Sequence, residues 1–280
     1  MRASSVVLAI VLASVAGCDD REVTRVICHN ANCVEPTDPE LDDTLGAMQE
    51  SLALRIGGRP AIDALEVDSY WRGSDDACLF AHDLVKPRTT TIDEMTAELA
   101  TYITSATELG RQPGPFRIYF ELKQHVDPDE SVKHTDAQRL AHVDCAWRAY
   151  ETIANASMVS GHAIEFVFSS FSPDILRDVL ARRPASTPIP FLLDTFYGIP
   201  APLSSETQPL DDFEGIPLDI VEIHPQWIHD AQIEGLHSLG VEIVFWTFSA
   251  TTETFNAIDQ YEPEAVGTSE AQLMVRWLEN

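Results

Sequence analysis

Short runs rich in Val, Ile and Phe recur along the chain, and each is followed by a longer stretch whose apolar residues return every three or four positions. The runs predict strands over 23–29, 61–68, 117–123, 163–168, 189–194, 219–223, 241–247 and 265–267. The intervening stretches predict helices over 41–56, 92–109, 135–156, 173–182, 227–239, 252–259 and 270–278. The Pro-rich segment 198–217 is the longest predicted loop. Eight strands alternating with helices point to an α/β chain folded as a single (β/α)8 barrel of the TIM type. A doubly wound open sheet is the alternative. No internal repeat, low-complexity tract or glycine-rich phosphate loop interrupts the pattern.

The informative positions are those that break the strand pattern. The first predicted strand ends in His29-Asn30. The second ends in Glu66-Val67-Asp68, which puts both carboxylates on one face at period two. The third carries Glu121-Leu122-Lys123 with the same spacing. Burying such groups unpaired is costly, so they must meet a cation or one another. In a parallel barrel all three strand ends open on one face, where active sites lie. Carboxylates plus an Asn oxygen are a hard-oxygen set suited to Ca²⁺ or Mg²⁺, and the plain structural reading is a set of salt bridges at the barrel rim. Cys78-Leu79-Phe80-Ala81-His82 reads as a further apolar strand that returns a second imidazole to that rim. Two histidines beside a cation and a lysine suit proton exchange in catalysis. His125, His224 and His229 are further candidates for the rim. His134, His142, His162 and His237 read as helix or surface residues.

Composition narrows the partners. The 280 residues carry 18 Lys and Arg against 45 Asp and Glu, a formal charge of −27. That balance argues against nucleic acid, which needs clustered basic residues. With 45% hydrophobic and 22% charged residues, the chain has ample material for a core and is not a disordered one. Only three lysines occur, Lys86, Lys123 and Lys133, so one placed beside acids in a strand is worth explaining.

The N-terminus reads as an address. Met1-Arg2 is followed by an apolar stretch, 6–16, shorter than the ~20 residues of a spanning helix. It ends Val15-Ala16-Gly17-Cys18, which resembles the bacterial lipobox; a plain secretory signal is the other reading. The expected organisation is a signal peptide over 1–17, a lipidated Cys18 opening a tether over 18–22, and one barrel domain over 23–280. The expected location is the bacterial cell envelope, with the membrane as partner through the Cys18 lipid. Export also suits the other cysteines, Cys28, Cys33, Cys78 and Cys145, an even number for an oxidising compartment. Three pairings are possible; the one we favour joins Cys28 to Cys33 and Cys78 to Cys145. No paired C-x-x-C supports zinc.

Taken together, His29-Asn30, Glu66-x-Asp68 followed by Ser69-Tyr70-Trp71, His82 and Glu121 resemble the phospholipase C-like phosphodiesterase superfamily of TIM-type barrels. The first half is similar to calcium-dependent phosphoinositide phospholipases C. Glu121-x-Lys123, His82-Asp83, Phe168-Ser169-Ser170-Phe171 and Phe245-Trp246-Thr247 are similar instead to glycerophosphodiester phosphodiesterases. That second group has Arg after the first histidine, where this chain has Asn30. The resemblance runs over about 23–278. With the N-terminal address, it implies an exported phosphodiesterase acting on a glycerophosphodiester or a phospholipid headgroup. It implies one divalent cation, Ca²⁺ or Mg²⁺, on Asn30, Glu66, Asp68 and Glu121. His29 and His82 would be the acid–base pair, Lys123 would place charge at the phosphate, and Trp246 would face the substrate. Two other classes stand beside it: a catalytically silent ligand-binding lipoprotein on the same barrel, and a different metal hydrolase.

Overall fold

The computed structural model describes residues 24–85, 87–127, 130–197, 213–227, 230–246 and 249–279. Cys18, the signal segment and tether, Lys86, His229, Thr247 and most of the Pro-rich stretch lie outside them. Eight parallel strands close into a ring: β1 (Arg25–Cys28), β4 (Ala64–Arg72), β6 (Phe116–Leu122), β7 (Ile164–Ser169), β8 (Phe191–Tyr197), β9 (Ile220–Ile223), β10 (Glu242–Trp246) and β11 (Ala265–Thr268). Pairing of β1 with both β4 and β11 completes the closure. The helices between them are α1 (Leu45–Ala53), α2 (Ile92–Ser105), α3 (Asp136–Ser160), α4 (Pro173–Ala181), α5 (Asp230–Ser238), α6 (Thr252–Tyr261) and α7 (Ala271–Leu278). The fold is the expected (β/α)8 barrel.

Strand alternation sorts the side chains. Outward residues such as Ile118, Phe120, Phe166 and Phe168 pack under the helices, where Trp147 of α3 lies against Phe168 and Phe191. Inward residues form layers. The middle layer is apolar apart from one hydroxyl: Ile27, Ala64, Tyr119, Val167, Ile220, Val244 and Ala265. It plugs the barrel, so nothing passes through. Below it Arg117 is paired with Glu165 at 2.8 Å and with both oxygens of Glu242. Above it the inward positions turn acidic.

Local chemistry explains the element ends. Thr91 with Glu94 and Thr135 with Gln138 form capping boxes that start α2 and α3. Gly161 takes φ 76° and closes α3, a conformation only glycine adopts cheaply. Several expected boundaries shift. Thr44 caps α1, so that helix starts at Leu45 rather than at 41. Its expected end, Arg55–Ile56, is instead β2, which pairs with β3 (Arg59–Pro60) in a small hairpin. The second barrel strand runs on past Asp68 to Arg72 and turns back as β5 (Ala77–Phe80), antiparallel to it, with Ser69 opposite Phe80. Cys78–Ala81 was thus expected as extended, but it lies beside the barrel rather than in it. The disulfides are Cys28–Cys33 and Cys78–Cys145, the favoured pairing.

Candidate active site

The site stands at the carboxyl ends of the strands. After Cys28 the chain turns through two left-handed residues, Asn30 (φ 50°) and Ala31 (φ 53°), inside the loop closed by Cys28–Cys33. Asn tolerates that region; Ala does so only under constraint. The turn aims the Asn30 amide at Glu66 Oε2, to which it donates at 2.7 Å. The Asn30 side-chain oxygen is buried and accepts no hydrogen bond.

Glu66 and Asp68 of β4 and Glu121 of β6 converge as their spacing predicted. Each offers a carboxylate oxygen within 4.8 Å of the others, and all three are buried. Lys123, just past β6, donates to Glu121 Oε2 at 2.8 Å and lies 3.0 Å from Asp68 Oδ1. Burial, then repulsion from Asp68 and Glu121, raises the Glu66 pKa well above the carboxylate range. Glu121 is pushed up to about 8, by burial first, against the pull of Lys123. Asp68 moves the other way: burial opposes its charge, but Lys123 and then His82 outweigh it and lower its pKa. One ammonium thus serves three carboxylates, and Glu121 Oε1 is buried without a hydrogen bond. An acceptor-only oxygen set short of positive charge is a donor set for a hard divalent cation, with Glu66, Asp68, Glu121 and the Asn30 oxygen as the groups that would hold it.

His29 is buried, its Nε2 3.8 Å from Glu66 Oε2 and its ring edge-on to Trp246 at 6.2 Å. Burial drives its pKa to about 3, with Asp68 opposing and Lys123 and His82 assisting, so the imidazole is neutral near pH 7. His82 is on the loop after β5, with its side chain 46% exposed and Nδ1 3.7 Å from Asp83 Oδ2. It lies within electrostatic reach of both His29 and Asp68. Trp246 opens an aromatic row: Phe196 is 5.9 Å from it, and Phe171, 40% exposed, stacks on Phe196 at 4.7 Å. The expected residues His29, Asn30, Glu66, Asp68, Glu121, Lys123 and Trp246 are therefore gathered at one mouth, with His82 at its solvent side. His125 lies 4.0 Å from Glu130, and His224 is half-buried.

Sequence reasoning missed several residues. Asp43, buried at φ 50°, accepts the Asp68 amide at 3.2 Å and donates its own amide to the Asn30 carbonyl at 3.0 Å. It ties the turn bearing one candidate ligand to the strand bearing another. Burial and then repulsion from Asp68 and Glu66 raise its pKa. In the sequence, Asp42-Asp43-Thr44 reads as a helix start, and Thr44 indeed caps α1, which conceals the other role. His142 of α3 is fully buried rather than at the surface and bonds Ser69 Oγ at 2.8 Å, while Ser69 donates to the Glu121 carbonyl. Since the Ser69 hydrogen goes to that carbonyl, His142 Nε2 carries the proton in this contact. Asp194 and Glu222 also face the mouth from β8 and β9.

No family model and no curated protein matches the sequence. Solved structures do. A proposed glycerophosphoryl diester phosphodiesterase from Silicibacter pomeroyi is 16% identical over 92% of this chain and 93% of its own, with a TM-score of 0.61. A phosphodiesterase from Oleispira antarctica, solved with its product sn-glycerol-3-phosphate, is 13% identical over 92% and 98%, with a TM-score of 0.59. A glycerophosphodiester phosphodiesterase from Agrobacterium tumefaciens is 15% identical over 92% and 100%, with a TM-score of 0.55. At such identities the likeness establishes the fold alone: the chain shares the (β/α)8 barrel of these solved structures.

Proposed function

We propose that the protein is a phosphoric diester hydrolase that depends on one divalent cation, Ca²⁺ or Mg²⁺, and acts on a glycerophosphodiester or a phospholipid headgroup. The observation that carries the reading is the buried Glu66–Asp68–Glu121 cluster with a single ammonium, faced by a neutral buried His29. Asn30, Glu66, Asp68 and Glu121 would hold the cation, which would supply positive charge beside the phosphate. The residues of the chain divide the remaining work. His29, neutral and shielded, accepts the proton of the nucleophile. His82, at the solvent side, returns a proton to the leaving oxygen. Lys123 holds Asp68 and Glu121 in place and adds charge beside the phosphate. Trp246, with Phe196 and Phe171, offers an apolar wall to the carbon part of the substrate. Asp43 positions the Asp68 backbone. We further propose that residues 1–17 are removed and that Cys18 carries the lipid holding the domain at the cell envelope; the two disulfides support export. Intact-mass analysis of the membrane fraction finding an unmodified Cys18 would refute the anchor.

The test uses purified protein with Ca²⁺ or Mg²⁺ against glycerophosphocholine, phosphatidylinositol, sphingomyelin and bis-p-nitrophenyl phosphate. His29→Ala and His82→Ala each lose about 10²–10⁴-fold in turnover, with circular dichroism and cation affinity unchanged. A substrate with a better leaving group rescues His82→Ala more than His29→Ala. Near-normal turnover in both variants would contradict the assignment and favour the silent-binder reading.

A further inference from the structure

The barrel mouth holds a second polar cluster, which the reaction above does not use. Asp194 of β8 and Ser169 of β7 are opposite each other in register, and both point inward with Tyr119 and Glu222. Asp194, Ser169 and Tyr119 have no accessible surface, and Glu222 is nearly as buried. Both Asp194 oxygens, Ser169 Oγ and the Tyr119 hydroxyl lack a well-formed hydrogen bond. Four such atoms in one buried cluster are exceptional, because buried polar groups are almost always satisfied by protein, water or an ion.

Electrostatics sharpens the question. Burial pushes Asp194 up to about 7, although Glu222 and Ser169 lie close enough to lower it. Glu222 is raised by burial, then by Asp194, and further by Glu66 and Glu121. Arg117, below Tyr119, is already committed to Glu165 and Glu242. With Asp43, Glu66, Asp68 and Glu121, this pair brings six carboxyl groups to one mouth, whereas Lys123 is bound to the first set. A single divalent ion at Glu66–Asp68–Glu121 leaves the second set with no cation of its own, in a pocket that must admit an anionic phosphodiester. Two carboxyls and two hydroxyls are an all-oxygen donor set of the kind a hard cation takes.

We propose that Asp194, Glu222, Ser169 and Tyr119 form a second hard-cation site inside the barrel, next to the Glu66–Asp68–Glu121 site and distinct from it. The inference rests on the first site only for the charge balance of the mouth, and the two are separable by experiment. A cation there would satisfy the unbonded oxygens and lower the negative potential met by the substrate.

The test is equilibrium dialysis of the full chain against Ca²⁺, and separately Mg²⁺, with elemental analysis of bound ion. The wild type is expected to hold two ions per chain. Asp194→Asn/Glu222→Gln and Glu66→Gln/Asp68→Asn are each expected to hold one. Ser169→Ala/Tyr119→Phe, which changes packing little, is expected to weaken the second ion about 10-fold and covers the case in which the amide variant fails to fold. One ion in the wild type, lost in Glu66→Gln/Asp68→Asn and kept in Asp194→Asn/Glu222→Gln, overturns this inference and leaves the first site standing. One ion with the opposite pattern supports the second site and overturns the first. No ion in the wild type overturns both.

Discussion

The two ends of the barrel interior treat charge in opposite ways. At the amino-terminal end Asp63, Glu165 and Glu242 each have partners. Asp63 accepts the amides of Val26 and Gln112 at 3.0 and 2.6 Å and lies 3.3 Å from Arg111 Nε. Arg117 is likewise shared between Glu165 and Glu242. At the carboxyl end, acids crowd together around Lys123, oxygens go without hydrogen bonds, and Asn30, Ala31 and Asp43 adopt left-handed backbone. A folded chain keeps such groups only where the surrounding structure over-determines them. The first end pairs its charges internally, and the second fits the proposal that a cation completes it.

The comparison breaks most visibly at Asp63. Removing it as Asp63→Ala strands the buried Arg111 and two amides, and the expected loss is about 3–5 kcal/mol of stability. Chemical denaturation should show it, while turnover per folded molecule stays near wild type. Lost turnover at unchanged stability would mean that the amino-terminal end also serves the reaction.

Asp43→Ala is the corresponding cut at the other end. It removes the acceptor of the Asp68 amide, and calorimetry should find cation affinity reduced about 10–100-fold. Asp43→Asn keeps an acceptor oxygen and should stay close to wild type. Equal affinities in all three proteins would remove Asp43 from the site.

A smaller effect sharpens the contrast through pH. Glu121, raised to about 8, keeps its proton in the cation-free folded chain above the pH at which an unfolded Glu has lost it. The folded state therefore binds more protons, and stability falls as pH rises from about 4.5 to 8. His29 works oppositely: its folded pKa near 3 makes stability rise with pH, but only up to about 6.5. Between pH 6.5 and 8 the acids alone act, and a loss of about 2 kcal/mol is expected from one such group. Glu121→Gln should flatten that slope in denaturation curves taken without cation, and saturating cation should flatten it in the wild type. A slope unchanged by either would place the titrating group elsewhere.

The same contrast explains what was legible in the sequence. Strands could be read because Val, Ile and Phe alternate with the barrel wall, and Glu66-x-Asp68 stood out because carboxylates at period two do not belong in a buried strand. Asp194 and Glu222 break strands by the same rule, but each lacks the second carboxylate at period two that makes Glu66-x-Asp68 conspicuous. Asp43 was illegible for a different reason: its contacts are to backbone amides and carbonyls far along the chain, and helix-start chemistry accounts for its local sequence. The β5 return is legible only in part, since the apolar run marks 78–81 as extended but does not say whether it joins the barrel or folds back on β4. His142 resembled any polar residue of a long helix, because its partner, Ser69, is 73 positions away.

The most direct test of the central claim is the cation dependence of phosphodiesterase turnover. Wild-type protein stripped with a chelator should hydrolyse its best substrate at background rate and recover on addition of Ca²⁺ or Mg²⁺, whereas Glu66→Gln and Asp68→Asn should fail to recover while remaining folded. Full turnover in excess chelator, or full recovery in both variants, would contradict the reading of the Glu66–Asp68–Glu121 cluster as the site of the ion.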